Sequence, residues 1–530
     1  AWFWEKSMSS RRRWIIQSLL LIILWIGAGL RFIGLEKVPP GLCPDEATNG
    51  YDAYSIAITG RDQHGDLLPT TTASLNDYRM PGFIYITVPF VTAMGLSVTS
   101  VRLAAAVVGW LALPVTYKLG QRMFSTEAGA AAMGLLALSP WHLPFSRLGL
   151  EGSTVGLFAA VCMMSLWQWH SDDHHWRWVW LSGLGLGLSF YTYSIMKLFV
   201  PLLMVGMGLV FWRDARSHTR QVVSLALVVI LLALPLIWDT LHAPTYMQAR
   251  YNQIAVFKPG RSFGDAITEA LRNAAVHLSP GFLFQHGDLD KLQHPPGAGQ
   301  LYWIQLPLIL VACVGGLWHT GTRQAVLALL VWIGAAIVPT SLTQMNVAAS
   351  GHSLRSIPMV VGWQILSAAG LKIVAGQFNA PWRRILIVVV TATLLVQAVP
   401  YLYHYFVEYP NMVRARFDDG MREAVEAMDA LDDQYDTVVF TRQASWPYLH
   451  ILFFTQYDPH KLQDDLPVRE SKLFAPVTRV GKYRIGDVKA AYQELDHGLF
   501  VMPAWMLPDV DPLVITTYHD GSPAFKIVTK

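Results

Sequence analysis

RRRWIIQSLLLIILWIGAGLRFI, residues 11–33, sets three arginines in front of a predominantly apolar stretch. From Trp14 to Ile33 that stretch approaches the ~20 residues a membrane helix needs, and it exceeds the ~7–15 of a signal-peptide core. No small-residue cleavage pattern follows it, so a retained first span is expected. Working outward, apolar runs of about membrane-spanning length recur roughly ten more times. They fall near 99–120, 127–143, 153–169, 177–193, 198–212, 221–238, 301–318, 324–339, 356–373 and 384–401. The run 82–95 is shorter, carries Pro89 and follows Pro81, and is expected to be an interfacial helix. The fold class expected is mainly α, a polytopic membrane protein of about eleven spans with a small α/β domain at its carboxyl end.

Composition agrees. Of 530 residues, 53% are hydrophobic and only 15% charged, against about 25% charged in a soluble domain. Mean hydropathy is +0.34. A net charge of +3, without a basic stripe interleaved with aromatics, gives no reason to expect a nucleic-acid partner. Cys43, Cys162 and Cys313 form neither a disulfide framework nor metal-ligand spacing.

Charge orients the chain. With the amino terminus inside, the cytoplasmic loops carry Lys118, Arg122, Arg213, Arg216, Arg220, Arg323, Lys372, Arg383 and Arg384, the excess that cytoplasmic loops show. Loops 34–98 and 239–300 then face outward, as does everything after Tyr401. Two domains are expected, 1–401 in the membrane and 402–530 outside it. In the second, Phe417–Asp432 reads as an amphipathic helix. Tyr435–Thr441, Lys482–Ile485 and Leu499–Pro503 read as strands, and Leu513–Tyr518 with Ala524–Thr529 as a hairpin.

The chemistry-bearing residues gather on the outer side. Asp45 and Glu46 stand together just beyond the first span, at the start of a helix-like stretch containing Tyr51; acids there also complement a helix dipole. Ser139-Pro140-Trp141-His142 leads to Arg147 and Glu151, which share a face at i, i+4 if the segment is helical. This is a cap at a span mouth on one reading and a cavity lining on the other. Tyr191, Tyr193 and Lys197 close the outer end of the fifth span, where Lys197 could also snorkel. His286, Asp288 and His294 lie before the eighth span, and His352 and Arg355 before the tenth. His286, Asp288 and His294 admit a metal, but their loose spacing fits a hydrogen-bonded polar loop better.

Taken in order, these motifs resemble GT-C glycosyltransferases. More narrowly, they are similar to family 39-type enzymes related to protein O-mannosyltransferases and lipid A aminoarabinose transferases. Pro44-Asp45-Glu46, Ser139-Pro140-Trp141-His142 with Ser146-Arg147, and Tyr191-Thr192-Tyr193 with Lys197-Leu198 carry the likeness. So do Phe282-Leu283-Phe284 with Gly287-Asp288, His294-Pro295-Pro296-Gly297, Gly299-Gln300-Leu301-Tyr302, His352-Ser353-Leu354-Arg355 and Tyr405–Pro410. The likeness covers roughly residues 30–410.

The resemblance implies transfer of a sugar, with inversion, from a polyprenyl-phosphate donor to an acceptor hydroxyl on a glycan, lipid or protein. Asp45 matches the family's catalytic acid and Glu46 its neighbour. Arg79, Arg147, Lys197 and Arg355 stand where cations would hold the donor phosphate; Arg79 lies one residue further from its proline than the family's lysine, and Lys197 replaces a frequent arginine. Tyr51, Glu151, Tyr191, Tyr193, His286, Asp288, His294 and His352 would line the substrate cavity. Glu151 departs from the aspartate of several relatives, and the carboxyl-terminal part does not read as a β-trefoil, which weakens a protein acceptor. No cofactor is expected. The location implied is the inner (plasma) membrane, with lipids around the spans and the active site outside.

Two other classes compete. A flippase or transporter of lipid-linked glycans would be expected to show a two-half repeat and broken midplane helices, neither of which is visible. A non-catalytic envelope scaffold would use the outer domain for binding alone, and is separated from an enzyme by the behaviour of Asp45→Asn.

Overall fold

A computed structural model describes residues 10–74, 77–242, 254–345, 350–464 and 477–530. A helix occupies each of the eleven apolar runs, from Ser10–Phe32 to Ala380–Tyr403. Six of the described helices are long and apolar enough to cross a membrane, and Gly82–Met94, Met196–Val210 and Gln305–Trp318 are shorter apolar helices. Apolar side chains such as Trp25, Leu227 and Val396 stand exposed along these helices. Water would penalise such a surface and hydrocarbon does not. This is a multi-pass membrane protein.

The chain forms two compact units. Among the described residues, the first comprises those of 10–33, 105–242 and 254–404, and the second those of 34–104 and 405–530. The break at 404/405 lies close to the expected end of the membrane domain, but the first long loop, 34–104, groups in space with the carboxyl-terminal part.

In the first unit the inner helices are dense with small residues. Helix Val360–Ala375 is buried along most of its length, and at Gly370 an added Cβ would lie 1.8 Å from the carbonyl oxygen of Leu308. Only glycine lets those two backbones meet there.

The second unit is built on two sheets. Strands β1 (Thr72–Ser74) and β2 (Asp77–Arg79) form an antiparallel pair. The larger sheet contains β3 (Val438–Thr441), β4 (Arg479–Val480), β5 (Tyr483–Gly486), β6 (Leu499–Pro503), β7 (Val514–Thr517) and β8 (Pro523–Thr529), in the order β4-β5-β3-β6-β8-β7. β3 runs parallel to both β5 and β6, and β7–β8 is the expected hairpin. Alternation sorts the faces. Val438 and Phe440 join Met421, Val425 and Met428 of helix Met421–Asp429, while Val439 joins Val488, Phe500 and Val528 on the other side. Helix Pro447–Phe454, which the sequence analysis did not anticipate, adds Ile451 to the first of these clusters.

Candidate active site

The second unit holds the paired acids. Helix Pro44–Thr59 begins with Pro44 in its first turn, a position where the missing N–H costs nothing. That start puts Asp45 and Glu46 where the helix dipole favours carboxylates, yet their environments are opposite. Glu46 is fully buried, and both its oxygens are taken by Arg102: Nε donates to Oε1 at 2.8 Å and Nη2 to Oε2 at 2.7 Å. The same guanidinium donates to the carbonyls of Leu35, Pro39 and Gly41 at 2.7, 2.7 and 2.8 Å. One buried arginine therefore gathers the loop 35–41 and sets the position of the helix after it. Gly41 completes the turn with φ +64°, and a Cβ there would meet the Phe417 carbonyl at 2.2 Å.

Asp45 is about one-third exposed and pairs with Arg79 at the end of β2. It is the accessible member of the couple. Behind it, Asp52 accepts from the backbone and side chain of Gln63 at 3.0 and 3.3 Å. Burial, reinforced by nearby Asp62, pushes its carboxyl well above the usual range. Tyr51 is wholly buried and donates to the Tyr457 carbonyl at 2.8 Å. It ties the helix to the carboxyl-terminal part, which is a packing position.

In the first unit four of the quoted motifs meet. Trp141 Nε1 donates to the Ser353 carbonyl at 3.0 Å, and the Trp141 ring stands edge-on to Phe282 at 5.8 Å. Gln300 donates to the Ser353 hydroxyl. Asp288 accepts from Ser353 N at 2.7 Å and from Asp290 N at 2.9 Å. The backbone of His352 donates to His277 Nε2 at 2.9 Å, and His352 Nδ1 is 3.9 Å from Asp288. Arg355 donates to the Gln344 carbonyl at 2.6 Å and the Thr343 hydroxyl at 3.1 Å. Gln344 lines a cavity of about 590 Å³ with Arg261, Asp265, Glu269 and Arg272. His286 and His294 each bond a loop carbonyl, of Gly287 at 2.9 Å and Ala298 at 2.7 Å.

Arg147 is fully buried, and Nη1 donates to the carbonyls of Leu30, Arg31 and Ile33 at 2.8, 3.1 and 2.9 Å. It caps the carboxyl end of the first helix, where a cation meets the negative pole of the dipole. Residues 148–150 are not helical and Glu151 opens a short 3-10 turn, so the i, i+4 register expected for Arg147 and Glu151 does not exist. The apolar run ends at Leu143, and Pro144 together with Gly149 and Gly152 breaks helical continuity. Tyr191 donates to the Leu232 carbonyl at 2.7 Å. Tyr193 and Lys197 are half-buried, Lys197 in the first turn of Met196–Val210.

Sequence analysis missed Arg31 and Arg102. Both are fully buried arginines inside expected spans, 14–33 and 99–120, and that was the available signal: a charge within an apolar run requires a partner.

Titration follows from burial. Burial lowers His277 and His294 to about 4, and raises Asp288 to about 6. His277 Nδ1 bonds the Asn273 carbonyl while Nε2 accepts from His352, so folding favours its neutral form. Unfolded histidines take up protons below about 6.5 and these folded ones only near 4, so each contributes stability that is lost as pH falls through that window. The loss approaches roughly 3 kcal/mol per histidine at its lower edge. Asp288 acts oppositely, gaining stability between about 6 and 3.9, the usual carboxyl value. Burial lowers His352 as well and raises Asp52 as well, and three histidines against two carboxyls predict that the melting temperature drops between pH 6.5 and 4. Thermal scans should show this, and His277→Asn should flatten part of the slope.

The apolar helices and their exposed apolar surface define a class, the multi-pass membrane proteins, and the fold is one found among solved structures. The chain is similar to ArnT from Cupriavidus metallidurans in the apo state, at 13% identity over 98% of each chain with a TM-score of 0.55. The same figures hold for ArnT bound to undecaprenyl phosphate. It is also similar to the archaeal oligosaccharyltransferase AglB from Archaeoglobus fulgidus in complex with an inhibitory peptide and a dolichol-phosphate. That likeness has 13% identity and a TM-score of 0.53, over 84% of this chain and 64% of that one. Within the class, residues 79–238 match the family described as dolichyl-phosphate-mannose-protein mannosyltransferase. No curated protein matches the chain.

Proposed function

We propose that this protein is a membrane glycosyltransferase that moves a sugar, with inversion, from a polyprenyl-phosphate donor to an acceptor hydroxyl on the outer face of the plasma membrane. The observation that carries the proposal is the asymmetry of the acid pair, with Glu46 locked by Arg102 and Asp45 left accessible beside Arg79. Support comes from the family match, which begins at Arg79, and from the fold shared with ArnT, a protein crystallised with undecaprenyl phosphate.

In this reading Asp45 takes the proton of the acceptor hydroxyl. The hydroxyl oxygen forms a bond to the anomeric carbon, the bond from that carbon to the phosphate oxygen breaks, and the lipid phosphate leaves with the electron pair. Charge grows on the leaving phosphate, so cations aimed at it lower the barrier. Arg355 and Lys197 are assigned to that phosphate, and Arg79 exchanges from Asp45 to it as the donor arrives, freeing the base. Arg147, with one nitrogen on three carbonyls, acts by holding the end of the first span. Glu46 positions Asp45. Glu151, Tyr191, Tyr193, His286, Asp288, His294, His352 and Tyr51 are assigned to the substrate cavity. The acceptor is a glycan, lipid or protein hydroxyl.

The proposal is tested with purified protein in nanodiscs and a panel of short-chain prenyl-phosphate sugars. Release of prenyl phosphate coupled to acceptor glycosylation supports it, and lipid translocation without bond cleavage overturns it in favour of a flippase. Arg355→Ala should weaken donor binding roughly 10–100-fold, the loss expected for a charge-assisted contact, with acceptor affinity nearly unchanged. Equal donor affinity in variant and parent would remove Arg355 from the phosphate.

A further inference from the structure

Helix Val155–Ser171 has Glu151 just before its first turn; its other end lies roughly 25 Å away at 1.5 Å per residue. At that end is a cluster that the proposed reaction does not use. His170 and His174 both face Asp214, which lies on the short helix Trp212–Ser217. One ligand atom from each of the three lies within 4.8 Å of the others. We propose that His170, His174 and Asp214 form a binding site for a divalent transition metal of the zinc class.

Four observations converge on it. The donors are chemically suited, because two imidazoles and one carboxylate are a set that zinc accepts, with water completing a tetrahedron. The spacing fits: His174 Nε2 is 3.4 Å from Asp214 Oδ1, against the roughly 3.3 Å edge of a tetrahedron with bonds of about 2.0–2.1 Å. His170 Nδ1 touches the other carboxylate oxygen, so one carboxylate faces both rings.

The rings are also held. Nδ1–H of His170 donates to Asp214 Oδ2, and Nε2 is 3.1 Å from Gln324 Oε1; metal binding would displace the Nδ1 proton while Nε2–H donates to Gln324, the usual way a ligating histidine is oriented. Stacking on Phe211, with ring centroids 4.4 Å apart, fixes the His170 plane. His174 stacks on His218 at 3.9 Å, and its carbonyl accepts from Gln221 Nε2 at 2.7 Å. His174 Nε2 is buried and makes no hydrogen bond among the described residues.

Finally, the backbone is bent to bring His174 in. Asp173 and His174 have φ of +45° and +54°. Two consecutive non-glycine residues in the left-handed region cost energy, even though Asp and His tolerate it best, and persist where the surroundings enforce them. The i, i+4 spacing is therefore not that of a helical His pair, since the helix stops at Ser171. The bound metal would staple the ends of Val155–Ser171 and Trp212–Ser217, with Gln324 linking the cluster to helix Thr320–Ser341. These are loops the charge pattern places on the cytoplasmic side.

The test uses the full-length protein in detergent after chelator treatment, with Zn²⁺ as the probe and a chromophoric chelator as competitor. One high-affinity equivalent is expected in the parent. His174→Ala and Asp214→Asn should each lose at least about 100-fold in affinity, and Gln324→Leu about 10–100-fold, as for other residues that orient a metal ligand. Zinc should raise the melting temperature of the parent and not that of His174→Ala. Because a variant could misfold, the parent also carries a direct readout. Zn²⁺ should protect His170 and His174 from diethylpyrocarbonate modification, located by peptide mass spectrometry. No high-affinity equivalent in the parent, unchanged affinity in His174→Ala, or protection confined to His277, His286, His294 and His352 would each overturn the site.

Discussion

Asp45→Asn is expected to reduce sugar transfer by ~10²–10⁴-fold, the usual contribution of a positioned base, with little change in melting temperature and retained donor binding. The amide keeps the shape of the carboxylate but cannot accept the acceptor's proton. Stability should hold because the pair with Arg79 involves a carboxylate that is one-third exposed, and such ion pairs contribute about 0–1 kcal/mol. Donor affinity could even rise slightly, since Arg79 would no longer be divided between Asp45 and the lipid phosphate. Steady-state transfer and donor titration on the same preparation measure both sides of this expectation. A variant that transfers at the parent's rate would leave the proposed chemistry without its base, and the scaffold and flippase readings would return.

The neighbouring residue should behave in the opposite manner. Glu46→Ala removes one half of a fully buried, doubly hydrogen-bonded pair and leaves the Arg102 guanidinium charged among apolar side chains. Breaking such a pair costs about 3–5 kcal/mol, enough to lower the melting temperature markedly or to prevent recovery of folded protein. Arg102→Leu should cost at least as much, because the carbonyls of Leu35, Pro39 and Gly41 lose their donor as well. The double variant Glu46→Leu with Arg102→Leu should recover part of the loss by removing both charges. It should not recover all of it, since three carbonyls stay unsatisfied. If Glu46→Ala were as stable as the parent but inactive, Glu46 rather than Asp45 would be the working acid.

The contrast between these adjacent carboxylates shows where sequence reasoning stopped. Composition, apolar run length and the placement of Lys and Arg in short loops were sufficient for a multi-pass helical protein with an α/β carboxyl-terminal part. The strands of that part were largely legible to within a few residues, because a short run of β-branched and aromatic residues such as Val438, Val439 and Phe440 is a local property. Asp45 and Glu46 were visible as a pair, but nothing in their spacing distinguished them. The residue that does so, Arg102, is 56 positions from Glu46. The same holds for Arg147, whose contacts include carbonyls more than a hundred positions earlier.

Helices, strands and membrane partition depend on side chains a few residues apart and on the transfer energy of each run, so they could be read from one dimension. Which carboxylate is buried, which arginine becomes a helix cap, and which histidines meet an aspartate depend on how helices distant in sequence pack. Desolvation makes that packing decisive: the same Asp or Glu is a fixed strut when enclosed with a guanidinium and a usable base when water still reaches it.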